Sequence, residues 1–203
     1  MTEAIFLGTF NPPHIGHLNC IQTVLDDQIS KEISRIHIIP CHQNPNKEQV
    51  IDYDIRFNMC SELFKGISDK VVIDDIERNH KWIFTYDMLE CLYSGYYPYI
   101  HSDFLWIVTE ETLKELFLEK WYKSKEIWQK HIHRMIILGK EKECQYSPDR
   151  TACKKYIQLH PGINVHSTQI RDLIKEGKNP ILYMNQGVID IIKENQLYTY
   201  NLF

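Results

Sequence analysis

Short apolar runs alternate with amphipathic stretches along most of this chain. Runs of the length and composition of buried strands predict β-strands at 3–8, 35–40, 70–74, 103–108, 133–139 and 163–166. Apolar residues at helical spacing predict α-helices at 16–29, 53–64, 85–95, 167–177 and 185–196, and one or two more within 110–130. Strands that alternate with crossover helices favour the α/β class, here a Rossmann-like doubly wound parallel sheet with closing C-terminal helices.

The polar segments do not divide the chain. Residues 41–52 and 141–155 are polar and predicted as surface loops, and no stretch is rich enough in Gly, Pro or Ser to be a linker. We therefore expect a single domain over residues 1–203. Parallel sheets of this kind bind ligands at the carboxyl ends of their strands, near a switch in strand order.

Composition narrows the class of partner. The formal net charge of −4 disfavours a broad nucleic-acid-binding surface, although a few local cations can still hold a small anion. No apolar run approaches the length of a membrane span, so we expect neither a nucleic-acid nor a membrane partner. The six cysteines are irregularly spaced and form no C-x-x-C pair, which predicts reduced thiols and a cytoplasmic location. The oligomeric state stays open, and a homo-oligomer is compatible with the sequence.

The candidate chemistry begins where the first strand meets the first helix, in GTFNPPHIGHL. Gly8 ends the strand and Gly16 opens the helix, whose first N–H groups have no intrahelical partner and favour an anion. His14 and His17 lie three residues apart and can face the same way. Together these groups could grip a phosphate. Two other interpretations stay open, a purely structural cap and a zinc site, although no third zinc ligand is evident nearby.

The same stretch resembles the G-[ST]-F-[DN]-P-x-H-x-G-H-L signature of the nucleotidylyltransferase superfamily. In that family the H-x-G-H element stabilises the α-phosphate during adenylyl transfer, which implies a catalytic role for His14 and His17. The resemblance implies further contacts within the signature: ATP with Gly8, Thr9, Phe10 and Gly16, and a mononucleotide substrate with Asn11.

A second motif lies near the other end of the chain. The segment VHSTQIRDLIKEGKNPILYMNQGVIDIIKENQLY is similar to the C-terminal part of bacterial-type nicotinate-nucleotide adenylyltransferases, with their I-S-S-T-x-I-R pattern and closing L-Y. Ser167 and Thr168 suit a helix start with free hydroxyls and amides, and they are the implied ATP contacts. Arg171 follows one turn later, and the resemblance implies that its guanidinium is catalytic.

Weaker matches lie between these ends. NPNK resembles the family's P-P-H-K and implies that Lys47 is a catalytic, phosphate-binding cation, although Asn46 replaces the family's histidine. IERNHKWIFTYDML resembles the segment that meets the pyridine substituent, which implies mononucleotide contacts at Phe84 and Thr85. Trp121 falls at the tryptophan that stacks on the pyridine ring, with core packing as the alternative.

One segment departs from the family pattern. IVTEETL aligns with I-I-G-A-D-S-L, so that Thr109 replaces the glycine and Glu111 replaces the aspartate. A carboxylate survives, and Glu111 is the implied contact to the adenosine part of ATP.

The resemblance implies that ATP and nicotinate mononucleotide react to give deamido-NAD and pyrophosphate, with Mg²⁺ arriving on ATP. The attacking phosphate is already an anion near neutral pH, so no general base is required. Three alternatives stay open at this point: a preference for nicotinamide mononucleotide, a pantetheine-phosphate adenylyltransferase, and a nucleotide-binding protein without catalysis.

Overall fold

The structure, a computed structural model, describes residues 2–45, 47, 49–82, 84–95, 104–140, 152–160 and 165–199. In these ranges the strands are β1 (Thr2–Gly8), β2 (Ile33–Pro40), β3 (Val71–Ile73), β4 (Leu105–Thr109), β5 (Met135–Gly139) and β6 (Lys155–Gln158). The α-helices there are α1 (Ile15–Asp26), α2 (Tyr53–Phe64), α3 (Ile76–His80), α4 (Thr85–Tyr93), α5 (Glu110–Phe117), α6 (Ser124–His131), α7 (Ser167–Lys175) and α8 (Gln186–Glu194). Short 3-10 helices cover Gln28–Lys31 and Ile132–Arg134.

The described strands form one parallel sheet in the order β3-β2-β1-β4-β5-β6. β1 pairs with both β2 and β4, so the strand order switches between β1 and β4. Ligands of doubly wound sheets bind beside such a switch, at the carboxyl ends of the strands. The loop after Gly8 and the helix start after Thr109 lie at that place. The predicted fold class is confirmed.

Side chains on the two faces of the sheet fill two separate cores, because successive residues of a strand point to opposite faces. Phe6 and Ile38 belong to one core, together with residues of α1, α2 and α8. Ile5 and Trp106 belong to the other, with residues of α4, α5 and α6. Ile170 places α7 on the first face, so both closing helices cover the same side of the sheet as α1.

The last strand was predicted at the wrong place. Val165 and His166 are not in a strand, while residues 163 and 164 lie outside the described part of the chain. The sixth strand is Lys155–Gln158 instead, at the edge of the sheet beside β5. Ile157 is its one buried residue, so the strand carries too little apolar pattern to be recognised from the sequence.

Two helical details also differ from the prediction. The stretch 110–130 forms two helices, α5 and α6, and the chain between them has left-handed residues at Glu119 and Lys123. The short helix Ile76–His80 was not predicted. Residues 141–151 of the predicted polar loop lie outside the described residues.

Two further observations concern membrane-spanning helices and the state of the cysteines. None of the described helices is long and apolar enough to cross a membrane. The described cysteines are free thiols, in line with the expectation of reduced residues, and they are Cys20, Cys41, Cys60, Cys91 and Cys153. Cys144 lies outside the described residues.

Candidate active site

The two histidines of the first motif are held by the backbone at the start of α1. His14 is the N-cap of α1, and its Nδ1 accepts a hydrogen bond of 3.1 Å from the Gly16 N–H. His17 Nδ1 accepts a bond of 3.1 Å from the His14 N–H. Because a backbone N–H can only donate, both Nδ1 atoms are acceptors and the proton of each neutral ring is on Nε2. The two rings are in contact, with centroids 3.8 Å apart and planes inclined by 34°. Each ring therefore keeps its Nε2–H as a donor beside the other.

Both imidazoles stay neutral over the physiological range. Burial lowers the pKa of His14 to about 3, with a smaller contribution from the charge of His166. Burial also lowers the pKa of His17 well below its usual value, followed by the charges of His14 and Lys47. The pair therefore offers hydrogen bonds and no charge, and the cations of the site must come from other residues.

The second motif lies against the loop that precedes α1. Ser167 Oγ donates to the Pro12 carbonyl at 2.8 Å. Arg171 Nη1 donates to the Asn11 carbonyl at 2.8 Å, and its Nη2 donates to Thr168 Oγ1 at 3.1 Å. The start of α7 and the start of α1 therefore meet over residues 11 and 12, although about 155 positions separate them in the sequence.

Asn11 joins three segments of the chain. Its Oδ1 accepts a 2.7 Å bond from the Tyr198 hydroxyl, and its Nδ2 donates to the Gln49 carbonyl at 3.3 Å. Its carbonyl holds Arg171. Both ends of the Asn11 amide are thus engaged within the protein, and a contact to the mononucleotide stays a prediction. Tyr198 was missed as a site residue, although it is the last residue of the closing L-Y element.

The glycines of the first motif make room for rings. A Cβ on Gly8 would lie 2.8 Å from the Phe10 ring, and a Cβ on Gly16 would lie 2.9 Å from the His14 ring. Phe10 is 1% exposed and packs edge-on against His17, with ring centroids 4.9 Å apart. Thr9 is buried, and its Oγ1 accepts from the Asn44 amide at 2.8 Å. These packing roles explain the residue types, and contacts of all four with ATP stay predictions.

The predicted cation Lys47 lies near the imidazoles. Its side chain is exposed, and its charge acts on both His17 and Cys41. Its backbone N–H donates to the Asn44 carbonyl at 3.1 Å. Asn46 lies outside the described residues.

Thr109 and Glu111, the two residues that depart from the family pattern, lie at a third helix start beside the site, that of α5. Thr109 caps α5 by accepting from the Thr112 N–H at 3.4 Å. Glu111, in the first turn of α5, has its Oε2 3.8 Å from His166 Nδ1. His166 is the N-cap of α7, so this pair joins the starts of α5 and α7. His166 was not predicted as a site residue. In the sequence it is distinguished only by standing where the family motif has a serine.

The residues predicted for the mononucleotide form an aromatic cluster. Phe84 is the N-cap of α4 and Thr85 is its first residue. The Phe84 ring lies 4.5 Å from the ring of Tyr122, which is 46% exposed and was not predicted. Trp121 is half-buried, donates from Nε1 to Glu115 Oε2 at 2.8 Å, and lies near the core ring of Trp106. This geometry is compatible with packing and with stacking on a ligand.

Known proteins resemble this chain over nearly its whole length. The cytidylyltransferase-like family model matches residues 5–173. A probable nicotinate-nucleotide adenylyltransferase of Caldicellulosiruptor bescii is 32% identical, with 98% of this chain and 99% of the relative covered. The Fusobacterium nucleatum protein of the same name is 30% identical, with 97% and 100% covered.

A solved structure supports the fold. The nicotinic acid mononucleotide adenylyltransferase of Plasmodium falciparum, complexed with NaAD, superposes with a TM-score of 0.74 over 97% of each chain at 18% identity. The family model spans both histidines, Arg171 and most of the β-sheet, and the two bacterial relatives align over nearly the whole chain. The chain therefore belongs to the cytidylyltransferase-like family, within its group of nicotinate-nucleotide adenylyltransferases.

Proposed function

We propose that this enzyme transfers the adenylyl group of ATP to nicotinate mononucleotide, giving deamido-NAD and pyrophosphate in NAD biosynthesis. The names of the relatives support the reaction and the substrates. The observation that carries the proposal is the 2.8 Å bond from Arg171 to the Asn11 carbonyl, because it brings the guanidinium to the loop that positions His14 and His17.

The site is suited to charge stabilisation. The mononucleotide phosphate is the nucleophile, and its second pKa of about 6 makes it an anion at neutral pH. Neutral imidazoles of low pKa are weak bases, so His14 and His17 act by donating Nε2–H bonds to the α-phosphoryl oxygens. Arg171 and Lys47 supply positive charge for the triphosphate and the departing pyrophosphate. The remaining contribution is alignment of the two anions for in-line attack.

The starts of three helices complete this arrangement. The positive ends of the α1 and α7 helix dipoles favour phosphate at this point. The first N–H groups of α1 are engaged within the protein, because Ile15 donates to the Tyr183 carbonyl and Gly16 donates to His14 Nδ1. Ser167 and Thr168, at the start of α7, are therefore the proposed phosphate contacts among the helix starts. Glu111, in the first turn of α5, is the proposed acceptor for the ribose hydroxyls of ATP.

Magnesium enters with ATP. Within the described ranges no group of three or more His, Cys, Asp or Glu side chains could hold a metal ion. Mg²⁺ keeps several waters and takes few protein ligands when it travels on nucleotide phosphates, so this donor set fits an ion held chiefly by ATP. When bound, Mg²⁺ neutralises part of the phosphate charge.

The aromatic cluster at the start of α4 is the proposed site for the pyridine ring. Phe84 and Tyr122 offer ring faces, and the first N–H groups of α4, from Thr85 onward, offer donors to a carboxylate. Trp121 is the proposed stacking partner.

Pyrophosphate release from Mg·ATP tests the proposal. The assay compares kcat/KM for nicotinate mononucleotide, nicotinamide mononucleotide and 4′-phosphopantetheine at equal concentrations. We expect the nicotinate substrate to be preferred by at least about tenfold, since a carboxylate gains charge-assisted bonds that a carboxamide lacks. Preference for either of the other two acceptors would overturn the proposal, as would ATP binding without pyrophosphate release.

We also propose that residues 1–203 form one domain and that the enzyme works in the cytoplasm, either as a monomer or as a homo-oligomer.

A further inference from the structure

Arg56, on the first turn of α2, is an arginine buried beneath the site. Its residue is 1% exposed, and its guanidinium lies over the Tyr53 ring, 5.4 Å from the centroid. A buried guanidinium is costly unless its N–H groups find acceptors.

The acceptors of Arg56 are backbone carbonyls of three loop segments. Nη1 donates to the Thr9 carbonyl at 2.9 Å and to the Cys41 carbonyl at 2.8 Å. Nη2 donates to the His42 carbonyl at 3.2 Å, and Nε donates to the Ile51 carbonyl at 2.9 Å. A single planar group therefore ties the loop after β1 to the loop after β2.

A buried carboxyl group holds the same loop at a second point. Glu77 is 4% exposed, and its Oε2 accepts from the His42 N–H at 2.7 Å. Burial raises the pKa of Glu77 to about 8, although the His42 bond and the charge of Arg56 act in the opposite direction. The backbone N–H and the backbone carbonyl of His42 are thus both hydrogen-bonded to buried side chains.

The fixed segment leads directly to a proposed catalytic cation. Two residues after His42, the Asn44 amide donates to Thr9 Oγ1 at 2.8 Å, which again joins the two loops. The Asn44 carbonyl accepts from the Lys47 N–H at 3.1 Å. Lys47 carries the charge that acts on His17.

We infer that Arg56 is a positioning residue for adenylyl transfer, which acts by holding the backbone of residues 9 and 41–42 so that Lys47 faces the two imidazoles. The inference rests on the proposed function, because it assigns Arg56 an effect on that reaction through Lys47. It predicts that Lys47 contributes less to kcat once the bonds from Arg56 to the loop are lost.

A double-mutant cycle between Arg56→Lys and Lys47→Ala measures this coupling in the full-length enzyme. Lysine keeps the charge but cannot bridge carbonyls in several loops. We expect Lys47→Ala alone to lower kcat about 100-fold, and to lower it by less than about 5-fold in the Arg56→Lys background. Losses that simply multiply would overturn the inference, because a purely structural role of Arg56 gives independent effects.

Two further variants keep the test decisive. Leu63→Ala, on the same helix, removes buried apolar volume and lowers Tm without touching the loops, so its cycle with Lys47→Ala must be additive. If Arg56→Lys does not fold, Asn44→Ala breaks the Thr9 bond while leaving the buried guanidinium intact. Its cycle with Lys47→Ala must then show coupling of the same sign, and additivity there would equally refute the inference.

The outcomes separate this inference from the proposed function. If the unmodified enzyme releases no pyrophosphate from Mg·ATP and nicotinate mononucleotide, the proposed function fails and, with it, the inference that depends on it. If that enzyme is active and the cycles are additive, the proposed function stands and the role of Arg56 is wrong.

Discussion

At the scale of single residues, the neutral state of His17 leads to a prediction about turnover. His17→Ala removes one Nε2–H donor, and loss of one preorganised donor costs about 10²–10³ in kcat. We expect that loss in a pyrophosphate-release assay, with the far-UV circular dichroism spectrum unchanged. His160→Ala is the matched control, because that imidazole is half-exposed and pairs with Asp26 on the surface. Equal activity of the two variants would remove His17 from the mechanism.

The same residue scale yields a prediction on stability against pH. The folded pKa of His14 is about 3 and the unfolded pKa is 6.5, so the unfolded chain binds the proton more readily. The contribution of His14 is therefore present above pH 6.5 and is lost as pH falls towards 3. We expect His14 alone to account for about 3 kcal/mol of the stability that the enzyme loses by pH 4 in urea unfolding. His14→Gln must flatten this slope, and an unchanged slope would show that His14 titrates normally.

At the scale of elements, the sequence predicted helices and central strands better than edges and connections. Four strands are largely apolar: β1, β2, β4 and β5. A run of apolar residues can be recognised in the sequence without knowing which strand it pairs with. β6 buries only Ile157, and its pairing with β5 is a tertiary fact that a local pattern does not contain. The division between α5 and α6 depends on residues with left-handed backbone, such as Lys123. These residues are not glycines, so the sequence gives no signal of the turn.

The N-terminal cap of α8 allows the stability of one helix to be tested separately from catalysis. Asn185 Oδ1 accepts from the Val188 N–H at 3.1 Å, and its Nδ2 donates to the Glu62 carbonyl at 2.7 Å. Asn185→Ala should lower the free energy of unfolding by about 1–2 kcal/mol, with KM for both substrates unchanged. Asn195→Ala, at the exposed end of the same helix, should change it by less than about 0.5 kcal/mol. Equal losses in both variants would mean that the cap does not stabilise α8.

At the scale of the whole molecule, the proximity of the two motifs could be predicted from the sequence. The hydrogen bonds that hold them together could not. The signature around His17 and the motif around Arg171 implied a shared phosphate, which requires α1 and α7 to start side by side. The bonds that achieve this go to backbone carbonyls, at Asn11 and Pro12. A carbonyl is present at every position, so no sequence pattern marks which ones will accept. The loops held by Arg56 escaped prediction for the same reason.

Tyr198 tests whether the last part of the chain keeps the site assembled. Its hydroxyl donates to Asn11 Oδ1 at 2.7 Å, and burial raises the pKa of the phenol, so the proton stays in place. Tyr198→Phe leaves the Asn11 oxygen without that donor, which should cost about 1–3 kcal/mol of stability. Because the Asn11 carbonyl also holds Arg171, kcat should fall together with Tm, and saturating ATP should restore part of the lost Tm through linkage. A fall in Tm with kcat preserved would show that Tyr198 stabilises the fold without serving the arrangement of Arg171 and the imidazoles.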